Sequence, residues 1–301
     1  MKIDKYNKWF SGIPYELAFW SSIYRGKKPR YWLIKLSELN KEISLHNFDV
    51  KKFLESMMTV NDSPIVLDVG CGMSYYVGNK LKDKDLDIRY VDPLAPFYNR
   101  ILDRYNVDTP RIEFGMMEYM SSFYPKGNVS LIIIQNALDH SANPIKGILE
   151  CLNTLRIGGV LYLKHYPNEA EKEQYKGFHQ YNVDIRDNQL FIWNHTVENN
   201  INNILFQFAD VEVSRYINPN EIIAVITKKK DVITELLDKS DDVYSLCNVV
   251  MEQAMQMDCL PYMLKYHIKK PFYNVVQFFM RYVSIDTKNK IKKILRGVWK
   301  I

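Results

Sequence analysis

Four apolar runs in this 301-residue chain end in residues able to do chemistry. The first, Val66-Leu67-Asp68-Val69-Gly70-Cys71-Gly72, passes from a strand-like pattern into an acidic, glycine-rich turn. Gly70 and Gly72 let the backbone bend sharply and let a ligand approach with no Cβ in the way. The second run, Ile88 to Val91, ends in the acidic Asp92 and then Pro93. The third, Leu131 to Ile134, opens into Gln135-Asn136-Ala137-Leu138-Asp139-His140. The fourth, Val160 to Leu163, leads into a polar segment holding His165, Glu169, Glu171, Tyr175, His179 and Asn182. Histidine titrates near neutrality and suits a general base, so His179 and His165 are the candidate bases. His140, Tyr175 and Asn182 are the candidate substrate contacts. A dinucleotide fingerprint would need a third glycine at position 75, where the chain has Tyr75, and Asp68 inside the turn is foreign to it.

These residues need a scaffold that gathers the ends of several strands. The apolar runs have the length and continuity of buried parallel strands, with two more strands near Val211 to Val213 and at Ile222 to Ile226. Leu149, Leu152 and Leu155 share a helical face, which Gly158-Gly159 would end. Alternation of this kind predicts an α/β fold with a doubly wound, mostly parallel sheet over residues 61–230, carrying an insertion at 166–200. Residues 1–60 read as a helical extension or lid, with one helix starting at Pro14 and another capped by Asp49. Residues 231–301 read as helical again.

D-x-G-x-G after a strand resembles the first motif of the class I S-adenosylmethionine-dependent methyltransferases, and the later runs resemble their successive motifs. The resemblance is clear over residues 60–165 and weaker to 228. It implies a seven-stranded Rossmann-like sheet with S-adenosylmethionine as cofactor and S-adenosylhomocysteine as its product. Asp68, Gly70, Gly72, Asp92, Pro93, Met116, Met117 and Asn136 fall where the family holds that cofactor. Asp92 would take both ribose hydroxyls, with Pro93 and Leu94 beside the adenine. Met116 replaces the acidic residue usual next to the adenine amino group. The set also resembles a subgroup from bacterial surface-glycan and secondary-metabolite gene clusters, implying methyl transfer to oxygen or nitrogen of a small molecule or glycan. A catalytically silent interaction subunit and an RNA methyltransferase are the alternatives.

Composition narrows the partners. The net charge of +5 is modest for this length. No [DNS]-P-P-[YFW] signature follows the third run, where the chain reads Asn136-Ala137-Leu138-Asp139, and the chain has no Pro-Cys pair, which argues against DNA. The cysteines Cys71, Cys151, Cys247 and Cys259 form no CxxC pair, and no H-x-x-H or H-E-x-x-H spacing occurs, so no metal is expected. The first residues lack an apolar signal core, and a cytoplasmic location is expected. From Asn289 to Ile301, Ile291, Ile294, Leu295, Val298 and Trp299 form an apolar stripe among lysines. Such a helix either packs on the chain's own C-terminal region or lies peripherally on an anionic membrane.

Overall fold

The computed structural model describes residues 6–24, 39–58, 63–75, 77–82, 84–217, 220–233, 237 and 243–256. The helices α1 (Asn7–Tyr24) and α2 (Val50–Met57) precede the first strand, β1 (Ile65–Val69). A short ribbon, β2 (Lys80–Leu81) and β3 (Lys84–Asp85), leads to β4 (Asp87–Asp92), α3 (Ala95–Arg104) and β5 (Ile112–Phe114). Next come α4 (Met120–Phe123), β6 (Val129–Gln135), α5 (Pro144–Thr154) and β7 (Leu155–His165). The insertion carries α6 (Glu169–Lys172) and a small antiparallel sheet of β8 (Asn182–Arg186), β9 (Gln189–Trp193) and β10 (Glu198–Asn200). The short α7 (Ile201–Leu205) returns the chain to β11 (Ala209–Tyr216) and β12 (Glu221–Lys228), and α8 (Val243–Gln256) follows.

The central sheet has seven strands in the order β11-β12-β7-β6-β1-β4-β5. From β5 to β7 all neighbours are parallel, while β12 runs antiparallel to both β7 and β11. The chain thus builds outward from β1 through β4 to β5, then returns to the other side of β1 for β6. This reversal opens a crevice at the carboxyl ends of β1 and β6, where open α/β sheets bind ligands.

Burial on both faces explains the continuous apolar runs. Leu67, Val69, Ile132, Ile134, Leu161 and Leu163 pack with α5 residues on one face. Val66, Leu131, Ile133, Val160 and Tyr162 alternate with them and pack with Val50 and Leu54 of α2 on the other. A third cluster joins Trp9, Phe10, Ile13 and Trp20 of α1 to Tyr98 and Leu102 of α3 and to Leu246 and Val250 of α8.

Of three local expectations, one holds and two do not. Asp49 caps α2 as its sequence predicts, its Oδ1 accepting Lys52 N–H at 3.1 Å. Pro14, in contrast, lies inside α1 rather than at its start. An interior proline costs roughly 3 kcal/mol, which the burial of Trp9, Phe10 and Ile13 in the preceding turns offsets. Gly158 and Gly159 lie within β7, not beyond a helix. They sit where β7 bulges against β6, with pairing shifting between Val129 and Leu131, and Gly158 takes φ +78°. The tail from Asn289 to Ile301 lies outside the described residues. No helix among the described residues is long and apolar enough to cross a membrane.

Candidate functional site

A cleft of about 630 Å³ opens at the crevice between β1 and β6. The structure brings Asp68, Gly70, Gly72, Asp92, Pro93, Met116, Met117 and Asn136 together on its lining. Both turn glycines are required. Gly70 has φ +67°, and a Cβ there would stand 2.5 Å from Ala137 Cβ; Gly72 has φ +55°, and its Cβ would meet Trp20 Cζ2 at 2.4 Å. Met116 and Met117 are buried and offer this wall apolar surface.

Asp92, at the end of β4, accepts Leu94 N–H through Oδ1 at 2.8 Å and Gly72 N–H through Oδ2 at 3.0 Å. Burial pushes its carboxyl up to about 7, against the pull of those two N–H groups and with a further push from Glu16. Asp68 is also buried, and its Oδ2 has no hydrogen-bond partner. Burial first, and the Asp92 charge second, push it up to about 8. Two carboxylates therefore stand at the edge of one cleft with little to neutralise them. A ligand offering hydroxyl donors and positive charge would relieve both.

Helix α1 covers this end of the cleft. Trp20 packs against Gly72 and donates its indole N–H to Glu16 Oε1 at 2.6 Å. Trp20, Glu16, Tyr15 and Trp9 all line the cavity. Sequence reasoning did not single out Glu16 or Trp20 as site residues. Their only signal is the aromatic density of the N-terminal segment, because the contact joins positions far apart in the chain.

The other end of the cleft is built on the loop after β6 and on the insertion. Asp139 is 2% exposed and receives the Nδ1 of His179 at 2.7 Å. His140 Nε2 lies 3.2 Å from the same His179 atom and 3.6 Å from Asp139 Oδ2. Burial alone would raise Asp139, yet the surrounding charges of His140, His179 and His165 hold it below the usual carboxylate range. Burial pulls His179 down, but the Asp139 bond and charge outweigh it and leave the imidazole above its ordinary value. His140 and His179 both line the cavity, beside Glu169 and Glu173. Burial, then the charge of Asp139, pushes Glu169 up to about 7.

The remaining candidates fall elsewhere. His165 is 1% exposed, stands behind Asp139 with 3.9 Å between Nδ1 and Oδ1, and does not line the cavity. Burial drives it down to about 4, so it is neutral at pH 7. Tyr175 and Asn182, expected as substrate contacts, do not line the cavity either. Asn182 donates Nδ2–H to the Tyr175 hydroxyl at 2.8 Å and accepts Glu171 N–H at 3.0 Å, which ties α6 to β8 away from the cleft. Asp139, which holds His179 at this end of the cleft, drew attention only as a neighbour of His140.

No protein-family model and no curated protein sequence matches the chain. Among solved structures it is similar to the CurJ carbon methyltransferase, at 12% identity and a TM-score of 0.41, covering 58% of this chain and 51% of that one. The chain thus spans about half the length of that protein. It is similar also to a SAM-dependent methyltransferase from Aquifex aeolicus, at 13% identity and a TM-score of 0.36, covering 60% of this chain and 90% of that one. A third, an S-adenosylmethionine-dependent methyltransferase from Clostridium acetobutylicum, shows 11% identity and a TM-score of 0.37, covering 60% and 89% of the respective chains.

Proposed function

We propose that the protein transfers the methyl group of S-adenosylmethionine to a hydroxyl of a small, polar acceptor. The observation that carries this reading is the pair of buried carboxylates, Asp68 and Asp92, beside the Gly70 and Gly72 turn at the sheet's switch point. S-adenosylmethionine has the complementary chemistry: ribose hydroxyls to donate to Asp92, an ammonium and a sulfonium to neutralise the pair, and an adenine for the Met116 and Met117 wall. Methyl transfer is an in-line displacement at an already activated carbon, so alignment and exclusion of water are the main demands. Helix α1 roofs the cofactor end and serves the second demand.

The acceptor end favours a polyhydroxylated molecule. His140, His179, Glu169 and Lys164 present hydrogen-bonding groups, while Trp9, stacked on Phe178 with ring centroids 5.1 Å apart, offers a flat apolar wall. That combination suits a sugar, whose ring has both a polar rim and an apolar face. His179, with Nδ1 held by Asp139, keeps Nε2 free to take the acceptor's proton. His165 then acts as a neutral spacer behind Asp139.

Calorimetry with S-adenosylmethionine and S-adenosylhomocysteine tests the cofactor, and incubation with methyl-labelled cofactor and fractionated extracts tests turnover. Saturable binding with label transferred to a glycan or small molecule is expected. Absence of binding to either ligand would remove the proposal.

A further inference from the structure

Asp139, His140 and His179 bring three potential ligand atoms to one point, although no contiguous metal motif exists in the sequence. Asp139 Oδ2 and His179 Nδ1 are 2.7 Å apart, His140 Nε2 and His179 Nδ1 3.2 Å, and His140 Nε2 and Asp139 Oδ2 3.6 Å. Two ligand atoms each about 2.1 Å from one cation stand about 3.0 to 3.4 Å apart at octahedral or tetrahedral angles. The observed triangle straddles that range, and small rotations of the side chains would close it. From it we infer that Asp139, His140 and His179 form a binding site for a divalent transition-metal ion at the acceptor end of the cleft.

Hydrogen bonding alone serves this cluster poorly. One hydrogen on His179 Nδ1 bridges to Asp139, but His140 Nε2 faces the same point and sits too far from Asp139 for a good bond. Asp139 Oδ1 is buried without a hydrogen-bond partner, and so is Oε2 of Glu169. A cation accepts lone pairs from all three atoms at once. His179 would then carry its hydrogen on Nε2, the tautomer that Nδ1 ligation requires, so in the loaded site a cation-bound hydroxide, and not His179, would take the acceptor's proton.

The backbone holds the three side chains in place before any ion arrives. Asp139 and His140 lie on a single 3-10 turn, Leu138–His140, at the end of β6. Gln180 N–H donates to Asp139 O at 3.0 Å, and Gln180 Nε2–H donates to Ser141 O at 3.2 Å, so the strip bearing His179 is stitched to that turn. Sites supported this way lose little entropy on loading. Two imidazoles and one carboxylate suit zinc, manganese, iron or cobalt; magnesium and calcium prefer oxygen donors alone. The histidines face the cavity, so open coordination positions point toward an acceptor.

The inference deepens the functional reading and rests on it for that last consequence, but cation binding is measured without the cofactor. Full-length protein stripped with a chelator is titrated with Co²⁺, followed by its d–d absorbance, and with Zn²⁺ by calorimetry. One equivalent per chain is expected for each. His140→Ala and Asp139→Asn should each weaken binding at least hundredfold, and His195→Ala should leave it unchanged. Absence of stoichiometric binding in the wild type, or equal binding in His140→Ala, overturns the site. S-adenosylmethionine affinity, measured on the same stripped proteins, separates the two claims. Retained cofactor binding with no cation bound ends only the metal site, whereas loss of cofactor binding by the wild type ends the methyltransferase reading.

Discussion

At the scale of single residues, the proposed chemistry rests on Asp92 at one end of the cleft and His179 at the other. Asp92→Asn removes a buried charge but keeps an acceptor for only one of the two backbone N–H groups and turns its NH2 toward the other, so the two effects oppose and the melting temperature should shift little. S-adenosylmethionine affinity should nevertheless fall roughly 10- to 150-fold, because a charge-assisted hydrogen bond contributes about 1.5 to 3 kcal/mol. Calorimetry of the variant checks this, and unchanged affinity would take Asp92 off the ribose. His179→Ala addresses the other end. It should lower turnover by about 10² or more, the usual range for losing a general base, while cofactor affinity stays close to wild type. Turnover equal to wild type would move the base elsewhere. The place of both on the cleft was legible in the sequence: Asp92 ends an apolar run that had to be a buried strand, and His179 lies in the polar segment that follows another. Asp139 was not, because a carboxylate in a loop acquires meaning only when a distant segment brings a histidine to 2.7 Å.

Among the elements, the strands were read most securely and the connections least. Leu131 to Ile134 had to be buried on both faces because no residue in the run tolerates water, and β6 indeed lies at the centre of the sheet. Gly158-Gly159 illustrates the failure. A glycine pair after a leucine face signals a helix end, but here the helix stops at Thr154 and the pair supplies a bulge inside β7. Local propensity does not distinguish the two; pairing with β6 decides it. The distinction is measurable. A Cβ on Gly159 would stand 2.8 Å from Arg156 O and 3.1 Å from Ser130 O, both backbone atoms that cannot swing away. Gly159→Ala should therefore destabilise the protein by about 1 to 3 kcal/mol, as overpacking in a core does. Thermal melts of the variant would show it, and an unchanged midpoint would contradict the bulge. Tyr175 and Asn182 stand off the cavity for a related reason. Their polarity looked functional from the sequence, yet it is consumed in holding α6 to β8.

Across the whole molecule, the fold maintains a cleft that is electrostatically incomplete, and this has a consequence for its pH behaviour. Asp68 and Asp92 stand at about 8 and about 7 in the folded chain, far above the usual carboxylate value of an unfolded one. Between pH 4 and pH 8 the folded state therefore holds protons that the unfolded state has released. Stability must fall as pH rises wherever the unfolded state binds fewer protons, so the ligand-free protein should lose stability across that window through these two groups. A cationic ligand reverses the penalty, since it favours the charged carboxylates. S-adenosylmethionine should therefore raise the melting temperature more at pH 8 than at pH 5.5, and S-adenosylhomocysteine, which lacks the sulfonium charge, should show a shallower pH dependence. Asp68→Asn isolates the cause: it should flatten the ligand-free profile between pH 6 and pH 8 and shrink the difference between the two ligands. Melting curves over that pH range, with and without each ligand, supply the measurement. A ligand-induced shift independent of pH, or an Asp68→Asn profile identical to wild type, would mean that the two carboxylates do not meet the positive end of the cofactor.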